Sequence, residues 1–396
     1  MSKTLIFCAD GTWNGPSEAD SDDPTGTATN VYKLFLNLQG EDTDHTLRLA
    51  NEQERVLSEA GAVTQHAKYL HGVGDSSNPL FRALGGGLGA GLITRIVRGY
   101  TFLSRNYQAG DKIVLVGFSR GAYTARALAG LILAKGLLNP NSTGDREDGY
   151  KQGAAVWYEY RMGKLAARVS LWKDLEQTFF DNLPRFLSKA LKSDDRIPVK
   201  IEAIAVWDTV GSFGIPTYNL NREHLDLFQF ADTALSADVG HGIHAVSIDE
   251  QRGDFTPTFW SNAAQHGGIK QALFPGAHSD VGGGYPATDK QSGLSDIELE
   301  WMTNELAVLG VKFLAPAKVM HMPDPLGCAH APWLDWKLIK GPRVLPDGLM
   351  VSRYLQQRLD GTNLLGNPGG SPGLYAPTNM GAYMTGRKIR PEIKTV

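Results

Sequence analysis

Lys112-Ile113-Val114-Leu115-Val116-Gly117-Phe118-Ser119-Arg120-Gly121-Ala122-Tyr123-Thr124-Ala125-Arg126-Ala127-Leu128-Ala129-Gly130-Leu131-Ile132-Leu133 reads as a strand, a sharp turn and a helix in immediate succession. The first five residues are apolar after Lys112 and rich in β-branched side chains, as a buried strand requires. The last twelve are strong helix formers at helical spacing. Between them lies Gly117-Phe118-Ser119-Arg120-Gly121, a G-x-S-x-G pattern in the context that gives it meaning. A serine on so tight a turn takes a strained backbone, and only glycine beside it leaves room for the neighbouring strand and helix. Its hydroxyl then stands at a helix N-terminus, where free N–H groups and the helix dipole favour developing negative charge.

Outward from this stretch the chain alternates strands and helices. Thr4 to Ala9 predicts a first strand, ending in the turn-type Asp10-Gly11-Thr12-Trp13-Asn14. Residues 15 to 29 read as a loop, and Asn30 as the cap of a helix over Val31 to Leu36. Val63 to Val73 predicts a strand, and the glycine-dense residues 85 to 92 lead into a helix through Ile93, Ile96, Tyr100 and Leu103. Residues 140 to 198 break the rhythm with amphipathic stretches, and read as a helical insertion, either a lid or extra core-packing helices. Strands resume at Lys200 to Trp207, His244 to Ile248 and Ile269 to Phe274, followed by a helix over Leu294 to Leu309 with Ser295 as its cap. The expected architecture is an α/β-hydrolase-type, mostly parallel sheet with helices on both faces, and with function at the strand C-termini. The division expected is an α/β domain over residues 1–340 and a Pro/Gly-rich C-terminal extension over 341–396.

Composition narrows the function classes. The chain has 396 residues, ample for a full core, and a net charge of −3, which argues against a nucleic-acid surface. Cys8 falls in an apolar run and Cys328 in a loop-like stretch, so neither a disulfide framework nor a zinc site is expected. The first ten residues are too short an apolar run for a signal peptide, and no run has the length of a membrane span. The expectation is a chain made in the cytoplasm, retained there or exported by a route without a cleaved signal.

A serine hydroxyl needs a base to take its proton and an acid to orient that base. In an α/β hydrolase these follow in the order Ser, Asp or Glu, His, each just past a strand end. Of ten histidines, His278 fits this place best, a few residues after the strand at 269–274; His244, His241 and His266 are its rivals. Asp208, ending the apolar Ile204-Ala205-Val206-Trp207, is the preferred acid, with Asp249 as a serious alternative. Asp280 lies too near His278 in sequence and reads as a cap of the glycine-rich turn. Two N–H donors should stabilise an oxyanion. Arg120, following the nucleophile, supplies one, and the Gly11-Thr12 turn supplies the other.

These motifs together resemble a known family. Cys8-Ala9-Asp10-Gly11-Thr12-Trp13-Asn14, Gly72-Val73-Gly74, the elbow from Gly117 to Arg126, Val206-Trp207-Asp208-Thr209-Val210-Gly211, Asp249-Glu250-Gln251-Arg252 and Gly276-Ala277-His278-Ser279-Asp280-Val281-Gly282-Gly283-Gly284-Tyr285 are similar to the α/β-hydrolase catalytic domain of type VI secretion phospholipase effectors. The resemblance runs from about residue 3 to 310. It implies esterase or lipase chemistry with Ser119 as nucleophile, Asp208 as acid and His278 as base, without a cofactor. It implies a lipid or phospholipid ester as substrate, peripheral membrane contact, and a secretion or immunity partner if the chain is an effector. Two other readings remain open on the residues: a metal-dependent phosphohydrolase using Asp10 and Asp280, and a non-catalytic binding protein on a hydrolase scaffold.

Overall fold

The computed structural model describes residues 2–11, 27–46, 52–72, 79–142, 146–166, 195–210, 233–319, 321–337 and 339–396. Its strands are β1 (Thr4–Ala9), β2 (Glu41–Asp42), β3 (Glu52–Glu59), β4 (Ala62–Leu70), β5 (Lys112–Phe118), β6 (Leu137–Leu138), β7 (Arg196–Ile197), β8 (Ile201–Trp207), β9 (Val239–Ser247), β10 (Ile269–Phe274) and β11 (Met350–Val351). Its longer helices are α1 (Asn30–Asn37), α2 (Pro79–Asn106), α3 (Arg120–Lys135), α4 (Arg146–Ala166) and α5 (Gly293–Val308). Nine strands form one sheet in the order β11-β10-β9-β8-β5-β1-β4-β3-β2. From β4 to β11 every neighbouring pair is parallel, and β3 and β2 add an antiparallel edge.

The central strands are apolar without alternation because both faces are covered. In β1, Leu5, Phe7 and Ala9 enter a core shared with α2 and α3. Ile6 and Cys8 point the other way, into a core shared with α1 and α5. The same division recurs in β5, with Ile113 and Leu115 on one face and Val114, Val116 and Phe118 on the other. The fold is of α/β-hydrolase type, a mostly parallel sheet sandwiched by helices.

Local differences from the sequence expectations have physical causes. Thr29, not Asn30, caps α1: its Oγ1 accepts from Tyr32 N–H at 3.2 Å, while Asn30 turns inward to donate to the carbonyls of Val281 and Ser295. α5 begins at Gly293, which puts Ser295 inside its first turn. The strand around His244 starts five residues earlier, at Val239. β3 carries too many charges to read as a strand, yet it forms a hairpin with β4 across Ala60 and Gly61, both at positive φ (49° and 79°). Lys68 on β4 pairs with Glu52 and Glu54 on β3, which places those charges across the hairpin.

Within 140–198, α4 sends Ala155, Val156, Trp157 and Tyr160 into the core beside α2 and α3. Residues 167–194, and with them the lid reading, lie outside the described residues. Residues 341–396 pack on the far edge of the sheet. β11 extends it beside β10, and Val351, Leu355, Leu359, Met380 and Tyr383 bury Val246, Ile248 and Leu273.

Candidate active site

β1, β5, β8 and β10 end on the same side of the sheet, and the chain leaves β1 and β5 in opposite directions, toward β4 and β8. Such a switch point opens a crevice outside the strand ends. Gly11 follows β1, Ser119 follows β5, Asp208 follows β8 and His278 follows β10.

Ser119 sits at φ 56°, ψ −122°, at the junction of β5 and α3. This is left-handed territory for a residue with a side chain, and it costs of order 1–3 kcal/mol. The neighbours leave no alternative. A Cβ on Gly121 would lie 2.0 Å from the Ala9 carbonyl oxygen, and one on Gly117 2.4 Å from that of Gly121. Both glycines are therefore required by close approach of β1, β5 and α3. The elbow is tied to β8, the strand before Asp208, as well, since Ser119 N–H donates to the Trp207 carbonyl at 3.2 Å. Ser119 Oγ makes no capping bond to α3. Intrahelical bonding starts with Tyr123 N–H to the Ser119 carbonyl, so the N–H of Arg120 is among the donors that the helix itself does not use.

His278 opens a five-residue helix, His278–Gly282, directly after β10. Its Nδ1 lies 2.5 Å from Asp208 Oδ2. That bond sets the tautomer with the proton on Nδ1 and leaves Nε2 as the acceptor. Its backbone N–H donates to Glu250 Oε2 at 3.2 Å, and Arg252 pairs with the same carboxylate through Nε and Nη2, each at 2.9 Å. Two rings hold the imidazole: Phe118, next to Ser119, at 4.6 Å between centroids, and Phe255 edge-on at 4.9 Å. Gly282 makes this possible, because a Cβ there would lie 1.9 Å from the Phe118 ring. Burial pushes the His278 pKa below its ordinary value, against the pull of Asp208 and Glu250.

Asp208 is fully buried, with φ 36°. Besides His278 it accepts from Ser247 N–H at 3.0 Å and from both arms of Arg343, Nη1 to Oδ1 at 2.6 Å and Nη2 to Oδ2 at 2.8 Å. Burial opposes its ionisation. The Arg343 charge and hydrogen bonds, with His278, outweigh burial and hold the carboxyl well below the usual range. Sequence reasoning missed Arg343, which stands in a Pro- and Gly-rich stretch without periodicity. Phe255 was also missed, for no short-range pattern marks it, and Glu250 was noted only as part of the Asp249-Glu250-Gln251-Arg252 motif, without its bond to His278 N–H.

The rival residues have other partners. Asp249 accepts from Gly276 N–H at 2.6 Å and from Tyr375 OH at 3.0 Å, and burial raises its pKa to about 6. His244 accepts from Thr209 N–H at 3.2 Å, and burial lowers its pKa to about 3. His266 bonds the Ser236 carbonyl at 3.0 Å, and His241 is placed on β9.

At the turn after β1, a Cβ on Gly11 would come 3.4 Å from Ser119 Cβ, so this backbone does lie against Ser119. Its N–H, however, donates to Asp10 Oδ1 at 2.7 Å. The Gly11 N–H is thus engaged, and Thr12, the other donor expected on this turn, lies outside the described residues. Asp10 Oδ2 accepts from Thr29 Oγ1 at 2.7 Å and Tyr69 OH at 2.6 Å. Asp280 Oδ2 caps its own turn at Ala277 N–H (2.8 Å) and takes His330 N–H (2.9 Å), while Oδ1 meets His330 Nδ1 at 2.6 Å. Protein donors thus occupy both carboxylates, and no metal-binding group of three or more His, Cys, Asp or Glu occurs among the described residues. Cys8 and Cys328 are both buried and unpaired as a disulfide.

A serine at a strained strand-to-helix turn of a mostly parallel sheet, with a paired histidine and aspartate after later strands, is the arrangement of the α/β-hydrolase fold. The chain belongs to the family described as T6SS, phospholipase effector Tle1-like, catalytic domain, which it matches over residues 3–305. It is 29% identical over 260 residues to an uncharacterised protein of Saccharomyces cerevisiae, a match covering 64% of this chain and 32% of that protein. The chain thus spans about a third of the length of this curated relative. Among solved structures it resembles an uncharacterised protein from Pseudomonas aeruginosa (18% identity, 81% of this chain and 47% of that one, TM-score 0.47). It also resembles the Tle1 effector bound to the VgrG spike of the type 6 secretion system (17% identity, 74% and 53%, TM-score 0.37).

Proposed function

We propose that the protein is a serine hydrolase that cleaves carboxylic esters of lipids, phospholipids foremost, through an acyl-enzyme on Ser119. The observation that carries this reading is the His278–Asp208 pair at 2.5 Å, packed through His278 on Phe118, whose chain neighbour Ser119 is held at φ 56°. Ser119 Oγ attacks the ester carbonyl while His278 Nε2 takes its proton. Asp208 keeps the proton on Nδ1 and faces the imidazolium as it forms. The N–H of Arg120, with a donor from the Gly11-Thr12 turn, stabilises the oxyanion. The imidazolium then protonates the departing alcohol. Water, deprotonated by His278, releases the acid, and the proton returns to Ser119. No cofactor enters any step.

The phospholipid assignment leans on the family description, and peripheral membrane contact and a secretion or immunity partner belong to the same proposal. No helix among the described residues is long and apolar enough to cross a membrane. The occupied carboxylates of Asp10 and Asp280 give the metal-dependent reading no support.

The test is fluorophosphonate labelling of the wild type beside Ser119→Ala, with intact mass to locate the adduct, followed by release of fatty acid from phospholipid vesicles. Labelling confined to the wild type is the expected result. A folded wild type that takes no label and releases no acid would sink the reading.

A further inference from the structure

We propose that Arg343 is a positioning residue of this active site, fixing the Asp208 carboxylate in the plane that meets His278 and making the C-terminal segment part of the catalytic unit. The inference rests on the serine-hydrolase reading above. Arg343 lies beyond the family match, which ends at residue 305. Its side chain is buried, and both arms are used twice. Nη1 donates to Asp208 Oδ1 at 2.6 Å and to the Ser247 carbonyl at 2.9 Å. Nη2 donates to Asp208 Oδ2 at 2.8 Å and to the Phe255 carbonyl at 2.5 Å. A fork–fork pair of this kind fixes direction as well as distance.

The guanidinium thereby joins three parts of the site. It grips the acid, the end of β9 at Ser247, and the backbone of Phe255, whose ring packs on His278. The segment bearing it is clipped in place on both sides. Gly253 N–H donates to the Ile339 carbonyl and Gly341 N–H to the Gln251 carbonyl, each at 2.8 Å. Asn379 Nδ2 holds the Arg343 carbonyl at 3.2 Å and the Ile248 carbonyl at 2.9 Å.

Charge gives the arrangement a measurable signature. The groups facing His278 are Asp208 from β8, Glu250 from the β9 loop, which is itself paired with Arg252, and Arg343 from the C-terminal segment. Arg343 offsets the Asp208 charge that would otherwise favour the imidazolium. Removing the guanidinium lets His278 hold its proton to higher pH, so the acid limb of the rate profile should move up. A merely structural arginine would lower the amount of folded protein and leave that midpoint where it was.

The experiment measures kcat and KM for a short-chain p-nitrophenyl ester between pH 4 and 9, in the full chain, for wild type, Arg343→Gln and Arg343→Lys. Arg343→Gln should lower kcat on the order of 10²-fold with little change in KM, because Arg343 is placed against Asp208 rather than substrate, and raise the acid midpoint by about one pH unit. Arg343→Lys keeps the charge but not the fork, so it should lower kcat while holding the midpoint. Wild-type kcat and midpoint in a folded Arg343→Gln would overturn the inference. If that variant does not fold, wild-type kcat in Arg343→Lys overturns it instead. Failure of the parent reading looks different: the wild type itself would take no fluorophosphonate at Ser119.

Discussion

Asp208 Oδ2 and His278 Nδ1 meet at 2.5 Å although 70 residues separate them in sequence, and both side chains are buried. The proton this bond holds on Nδ1 leaves Nε2 unprotonated, as the proposed base role requires. Burial lowers the His278 pKa, so the neutral, active form persists below the ordinary value near 6.5. The rate of ester cleavage should therefore be level through neutrality, with its acid limb below about pH 6.5. A kcat/KM profile answers this directly. A limb centred above pH 7 would contradict the burial argument.

The two candidate acids separate by substitution. Asp208→Asn disrupts the tautomer and should cost about 10⁴-fold in kcat. Asp249 bonds Gly276 and Tyr375 instead, so Asp249→Asn should keep kcat within about tenfold. Equal losses in the two purified, folded variants would refute the assignment of Asp208.

Two glycines near Ser119 should fail in different ways. On Gly121 a methyl group would lie 2.0 Å from the Ala9 oxygen and 2.7 Å from the Asp10 oxygen, both backbone atoms. Gly121→Ala should cost more than about 3 kcal/mol or prevent folding. On Gly11 it would meet the Phe118 ring at 3.1 Å and Ser119 Cβ at 3.4 Å. Gly11→Ala should change stability by less than about 1 kcal/mol and lower kcat tenfold or more, on the order expected when the reacting geometry is disturbed. Thermal melts and single-substrate kinetics on both variants test the contrast.

Asp10 supplies a stability prediction with a definite sign. Burial raises its pKa to about 6, against hydrogen bonds from Tyr69, Thr29 and Gly11. The folded state then binds more protons than the unfolded state between about pH 4 and 6, so this residue's contribution falls as pH rises through that window and is constant above it. Asp10→Asn carries no charge and escapes the loss. Relative to wild type it should gain up to about 3 kcal/mol between pH 4 and 7.5, whatever its offset at acid pH. Denaturant unfolding at the two pH values reads the difference directly. A constant gap would mean that Asp10 is ionised throughout.

The sequence by itself settled what is written over short distances. β5, the elbow and α3 are contiguous, and a buried strand, glycines at a crowded turn and an alanine-rich helix each leave a local mark. The same holds for β1, β8 and β10, whose largely apolar runs mark them as strands. β3 escaped because its charges, two of which pair with Lys68 across the hairpin, hide the alternation that periodicity reads. Sequence position preferred Asp208 and His278 and left Asp249 and three histidines as rivals, and only the packing of the strand ends places Asp208 rather than Asp249 against the imidazole. Arg343 is the extreme case. Nothing near it in the chain distinguishes it from a surface arginine, and its partners, at positions 208, 247 and 255, are brought to it by packing of the C-terminal segment on the sheet edge. Local propensity is encoded in neighbours along the chain. The surroundings of a buried charge are set by residues far away in sequence, and tertiary structure alone decided them.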